Sequence, residues 1–173
     1  MGPARTFWAV FAVAQALYLL IMVWSLPRIA AEAGGLVAFD ARPLGYDYEA
    51  AHAFLMALSL EGRSHYLGVQ LPLDLAYPAI LATMFALGFR QLFRGGHRRA
   101  LMALALCVVA FDYLENFWIG SILGAGVEKL GAETVAWASL WTVMKSACTT
   151  LAYAALIYGA GRAAWRKRAR RAG

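Results

Sequence analysis

Four runs of mostly apolar residues interrupt this chain, and each is long enough to cross a lipid bilayer. A transmembrane helix needs about 20 such residues to span a hydrocarbon core ~30 Å thick. The runs cover residues 6–26, 71–93, 100–123 and 134–160, and the breaks between them carry Gly, Pro or charge. Hydrophobic residues make up 62% of the 173 and charged residues 15%. A soluble core of this size cannot hide that much apolar surface. The same figures exclude a disordered chain, a collagen-like chain and a coiled coil. Transmembrane strands would need apolar and polar residues to alternate, and they do not. The predicted fold class is therefore all-α: a four-helix transmembrane bundle forming a single integral membrane domain over residues 1–173. Residues 28–70 form its outer loop and residues 161–173 a basic cytoplasmic tail. Pro27 and Arg28 are expected to close the first span. That run exceeds the roughly 7–15 apolar residues of a secretory signal, so it reads as a span.

Charge sets the expected orientation. Arg5, Arg90, Arg94, Arg98, Arg99, Arg162, Arg166, Lys167, Arg168, Arg170 and Arg171 gather on one side, which holds no Asp or Glu. Arg28, Arg42, Arg63 and Lys129 fall on the other. The positive-inside rule then puts both termini and the short middle loop in the cytoplasm. The net charge of +6 does not imply nucleic acid. The basic residues sit beside the spans, where topology and anionic lipid head groups account for them. Membrane lipids are the expected partners, and a homo-oligomer is compatible with the sequence.

In the long outer loop, Asp47 is a candidate N-cap and Glu49 suits the positive end of a helix dipole. Ala51, Phe54, Leu55 and Leu58 recur at helical spacing, and Gly62 is a candidate stop. An amphipathic interfacial helix is predicted over about 48–61, lying across the outer face of the bundle.

Ionisable residues inside spans are expensive, about 2.5–3.5 kcal/mol each at the bilayer centre, and mark functional positions. This chain has Asp74, Asp112, Glu115 and Lys145 there. At ~1.5 Å per residue, all four reach one level just outward of the midplane. Asp112, Glu115 and Asn116 share a helix face at i, i+3 and i+4; Thr142, Lys145 and Thr149 share one at i, i+3 and i+7 on the fourth span. Cys107 and Cys148 form no C-x-x-C pair, which argues against thiol–disulfide chemistry. His52, His65 and His97 are too scattered for a metal or haem site, so no cofactor is expected.

Gly45-Tyr46, Gly62-Arg63-x-x-Tyr66-Leu67, Leu73-Asp74-x-x-Tyr77-Pro78 and Phe111-Asp112-Tyr113-Leu114-Glu115-Asn116 resemble the motifs of a group of small four-pass bacterial membrane proteins without assigned function. The resemblance spans about residues 39–145. It implies a bacterial inner-membrane location and a set of site residues, but no reaction. Asp74, Asp112, Glu115 and Lys145 are the candidate reacting groups. Arg63, Asn116, Tyr46, Tyr66 and Tyr77 are the candidate ligand-binding ones, with Arg63 reaching in from a lid. The leading expectation is a buried site that binds or transforms a small or lipid-borne ligand. A proton- or ion-coupled transporter using Asp112 and Glu115 is the second, and a non-catalytic assembly partner the third.

Overall fold

The computed structural model describes residues 2–172; Gly173, at the end of the expected tail, lies outside them. The described chain is helical, with five helices and no strand. Helix α1 runs Pro3–Glu32, α3 Leu60–Leu92, α4 Gly95–Ala125 and α5 Ala132–Ala172. These four are long and apolar enough to span a membrane, and the protein is a multi-pass membrane protein with a four-helix bundle. The short α2, Tyr48–Ala57, lies across one end of it. That end also carries the α4–α5 turn and is called the loop end; the opposite, terminal end carries both termini and the tight turn between α3 and α4.

Each apolar run belongs to a helix longer than itself, although Phe93, the last residue of the second run, is extended and lies just past Leu92. Pro27 does not close α1, which continues to Glu32. The helix survives because Ile21–Ser25 widens into a π turn, in which the Leu26 N–H bonds back to the Ile21 carbonyl. A proline ring collides with the carbonyl four residues before it in a regular helix. The wider turn opens that space. Helix α3 repeats the device. Tyr66–Gln70 is a π turn, the Leu71 N–H bonds to the Tyr66 carbonyl, and Pro72 follows. Both π turns thus precede a Leu-Pro pair, and Ser25 Oγ and His65 Nε2 tie them together at 3.0 Å. Single π turns inside helices occur often at functional sites.

The loop end differs from expectation in one respect. Asp47 does cap α2, accepting from the Ala50 N–H at 2.8 Å, and Ala51 and Phe54 are buried beneath it. The helix, however, stops at Ala57 rather than near Glu61. Leu58 turns extended, and Ser59 caps α3 by accepting from the Gly62 N–H at 3.0 Å. Gly62 therefore lies in the first turn of a span and stops nothing. It has no side chain because one would strike Glu32 Cβ at 2.5 Å, where α3 crosses the end of α1.

Two apolar clusters fill the bundle. Phe39, Phe54, Tyr66, Ile119 and Leu123 pack at the loop end. Phe85, Phe89, Phe93, Val108 and Leu156 pack towards the terminal end. Helix association in lipid draws on close packing and interhelical hydrogen bonds rather than on escape from water. Both are present here, and the polar residues lie between the two clusters.

Candidate functional site

Asp74, Asp112, Glu115 and Asn116 are all buried, although each is polar. Lys145 forms ion pairs with Glu115 and, at 3.8 Å, with Asp112 Oδ2. The i, i+3 spacing on α4 presents both carboxylates to one α5 ammonium. Asn116 donates to Asp112 Oδ1 at 3.3 Å and to the main-chain carbonyl of Asp74 at 2.9 Å.

That last bond explains two motifs together. Pro78 has no N–H, so the carbonyl four residues earlier, that of Asp74, loses its helical donor. A buried carbonyl without a partner is costly. Asn116 replaces the missing donor from the neighbouring helix. Close by, Tyr113 Oη donates to the Leu75 carbonyl at 3.0 Å. The D-x-x-Y-P segment of α3 and the D-x-x-E-N segment of α4 are thus two halves of one joint.

A second polar arm starts in the loop. Asp40, on the short 3₁₀ turn Phe39–Ala41, accepts from Tyr66 Oη at 3.0 Å and from Gln70 Nε2 at 3.3 Å. The same Gln70 amide donates to Asp74 Oδ2 at 2.6 Å. The π turn of α3 carries both Tyr66 and Gln70, so the irregular backbone presents both to the loop carboxylate. Tyr46 holds the loop down. Its N–H donates to Ser139 Oγ at 2.8 Å, and Gly45, at φ +86, brings the backbone so close to Ser139 that a Cβ would sit 2.7 Å from Oγ. Burial pushes the Tyr46 hydroxyl well above the ordinary tyrosine range, and the negative charge of Glu115 adds to the rise.

Of these groups, Asp40, Asp74, Asp112 and Lys145 border a cavity of about 370 Å³ between α1 and α5. Tyr18, Ile21, Met22 and Leu26 form its α1 wall; Lys145, Ser146, Thr149 and Thr150 form its α5 wall. Asp74, Tyr77, Leu81 and Asp112 make the floor, and Asp40, Ala41 and Pro43 cover the loop side. Tyr18 and Met22 are 40% and 36% exposed at the rim. The cavity therefore faces sideways, towards lipid. Towards the terminal end the seam closes where Gln15 Nε2 donates to Tyr153 Oη at 3.3 Å.

Of the nine candidate residues, Asp112, Glu115, Lys145 and Asn116 meet directly, and Asp74 joins them through its carbonyl. Tyr77 lines the cavity, its ring 6.1 Å from that of Tyr18. Tyr66 and Tyr46 brace the loop. Arg63 lies elsewhere than expected: its Nη2 donates to the Gly124 carbonyl at 2.9 Å, at the C-terminal end of α4, and Gly126 packs on its guanidinium. An arginine there satisfies a carbonyl that the helix end leaves open. Sequence reading missed Asp40, Gln70 and the α1 wall. Asp40 lies far from any span in sequence; its one signal was a carboxylate set directly after a buried phenylalanine. No three His, Cys, Asp or Glu among the described residues are grouped to hold a metal ion. Compared with known proteins, the chain matches no family, no curated protein and no solved structure.

Proposed function

We propose that this protein binds a small or lipid-borne ligand in the cavity between α1 and α5 and presents it to the buried Asp74, Asp112, Glu115 and Lys145. One observation carries the reading: a cavity that opens sideways through an apolar rim yet has carboxylates and an ammonium in its walls. A solvent-facing site would have no use for a lipid-exposed mouth. An oligomer-forming or assembly surface would have no use for buried charge. The positive-inside rule supports a cytoplasmic terminal end, with the cavity in the outer half of the bilayer, and the motif resemblance supports a bacterial inner membrane. Phe85, Phe89 and Phe93 fill the bundle below the polar layer, which favours one-sided entry over a transport path.

If the ligand is transformed there, Asp74 and Asp112 border the cavity and are the groups able to give or take a proton, while Lys145 holds developing negative charge. The test is to purify the full chain in a mild detergent and identify what remains bound by mass spectrometry. Met22→Trp fills the rim without touching a polar contact. A molecule retained by the native protein and lost from Met22→Trp supports the site. Equal retention by both, or nothing retained by either after reconstitution with lipid, rejects it.

A further inference from the structure

The charge and hydrogen bonding of the cavity wall indicate what kind of group it suits. Behind the cavity wall, Gln70 Oε1, Asn116 Oδ1 and Glu115 Oε1 are buried acceptors without a hydrogen-bond partner, and Tyr46 Oη and Trp141 Nε1 are buried donors without one, so the wall itself decides. Both amides are oriented unambiguously, because their nitrogens already donate to carboxylates or to a carbonyl. Asp74 has one oxygen on Gln70 and the other free of any hydrogen bond, in the cavity wall. Charge is short in the same direction. Asp40, Asp74 and Asp112 line the cavity with Lys145 as the one cation among its lining residues, and Lys145 already pairs with Glu115 and Asp112. Among the described residues, neither Asp40 nor Asp74 forms an ion pair.

We infer that the ligand carries a primary ammonium group, held between Asp74 and Asp40 on the loop side of the cavity. This rests on the proposed ligand-binding role and names the chemistry of that ligand. An ammonium offers three N–H donors and no acceptor, the complement of a wall in which Asp40, Asp74 and Asp112 outnumber Lys145 and an Asp74 oxygen has no donor. A quaternary ammonium offers no donor, and an anionic head group adds acceptors. The tyrosine rings of Tyr18 and Tyr77 border the same cavity, and aromatic faces attract cations. Ile21, Met22 and Leu26 run from the polar floor to the lipid-facing rim, a path suited to an acyl chain. The amine can belong to a lipid head group or to a soluble amine; the lipid-facing mouth favours the head group.

The full chain, delipidated in a neutral detergent, is incubated with an equimolar mixture of phosphatidylethanolamine, phosphatidylcholine and phosphatidylglycerol of identical acyl chains, and retained lipid is quantified. Phosphatidylethanolamine is expected to be enriched about tenfold, as one charge-assisted contact is worth at least that factor. Asp74→Asn keeps the shape and should abolish the enrichment. Asp40→Asn, at the half-buried cover, should reduce it and serves if Asp74→Asn fails to fold. A parallel arm adds free ethanolamine or putrescine. Saturable binding of these that depends on Asp74, with no lipid retained, upholds the ammonium site and assigns it to a soluble amine. Equal retention of the three lipids, or preference for phosphatidylglycerol, overturns the ammonium inference while leaving a lipid site. Retention of no lipid and no amine overturns both.

Discussion

At the scale of single residues, the polar layer works by exchange of donors, and substitution can test each exchange. Lys145 is the one cation facing Glu115 and Asp112. Removing one partner of a buried ion pair costs about 3–5 kcal/mol, because the other charge stays buried. Lys145→Met should therefore lower the unfolding temperature of the purified protein markedly. Adding Glu115→Gln should recover most of the loss; a double variant no more stable than the single would show that the pair is not coupled. The Asp74 carbonyl offers a second exchange. Asn116→Leu leaves that buried carbonyl without a donor, at about 1–3 kcal/mol. Pro78→Ala returns the helical N–H and should rescue Asn116→Leu in part, although it changes little in the native background. If the two variants simply add in thermal melts, the joint between α3 and α4 is not what the hydrogen bond indicates.

At the scale of elements, the spans and the α4 face were legible because hydropathy and i, i+3 spacing are local. Asp112, Glu115 and Asn116 needed no tertiary information. The π turns are not legible in hydropathy, although a Leu-Pro pair follows each of them, at the end of the first run and the start of the second. Pro27 is expected to end its helix, which holds for a regular turn and fails because the preceding turn widens. Asp40 and the α1 wall stayed hidden because they depend on how a distant loop and the first helix settle on α3 and α5. Arg63 was misplaced for a similar reason: the carbonyl it serves, on Gly124, becomes free only where α4 stops. Arg63→Ala should accordingly leave bound ligand intact and speed proteolysis across residues 126–131; loss of ligand with unchanged cleavage would restore the lid reading. Asp47→Ala removes the α2 cap, worth about 1 kcal/mol. Amide exchange over Tyr48–Ala57 should quicken while exchange in α4 does not.

At the scale of the whole molecule, the two ends carry opposite charge logic. Every carboxylate lies in the polar layer or at the loop end, and no Asp or Glu accompanies the arginines of the terminal end. A phosphatase reporter, active only outside the cytoplasm, should be silent when fused after the tail and active when inserted near Gly126. An active C-terminal fusion would reverse the topology and put the cavity in the inner leaflet. The separation of Glu115 from its cation bears also on how the protein is made. Lys145 is encoded 30 positions after Glu115, on the next helix. Until that helix exists, α4 holds Asp112 and Glu115 with no counter-ion at their depth. Two such acids oppose insertion by about 5–7 kcal/mol at a helix centre. A nascent chain ending at Ala132 should thus leave its third helix poorly integrated, and a chain extended past Lys145 should not. Synthesis of the last helix commits the third one to the bilayer, so the two enter as a hairpin and the charged layer is completed only at the close of translation.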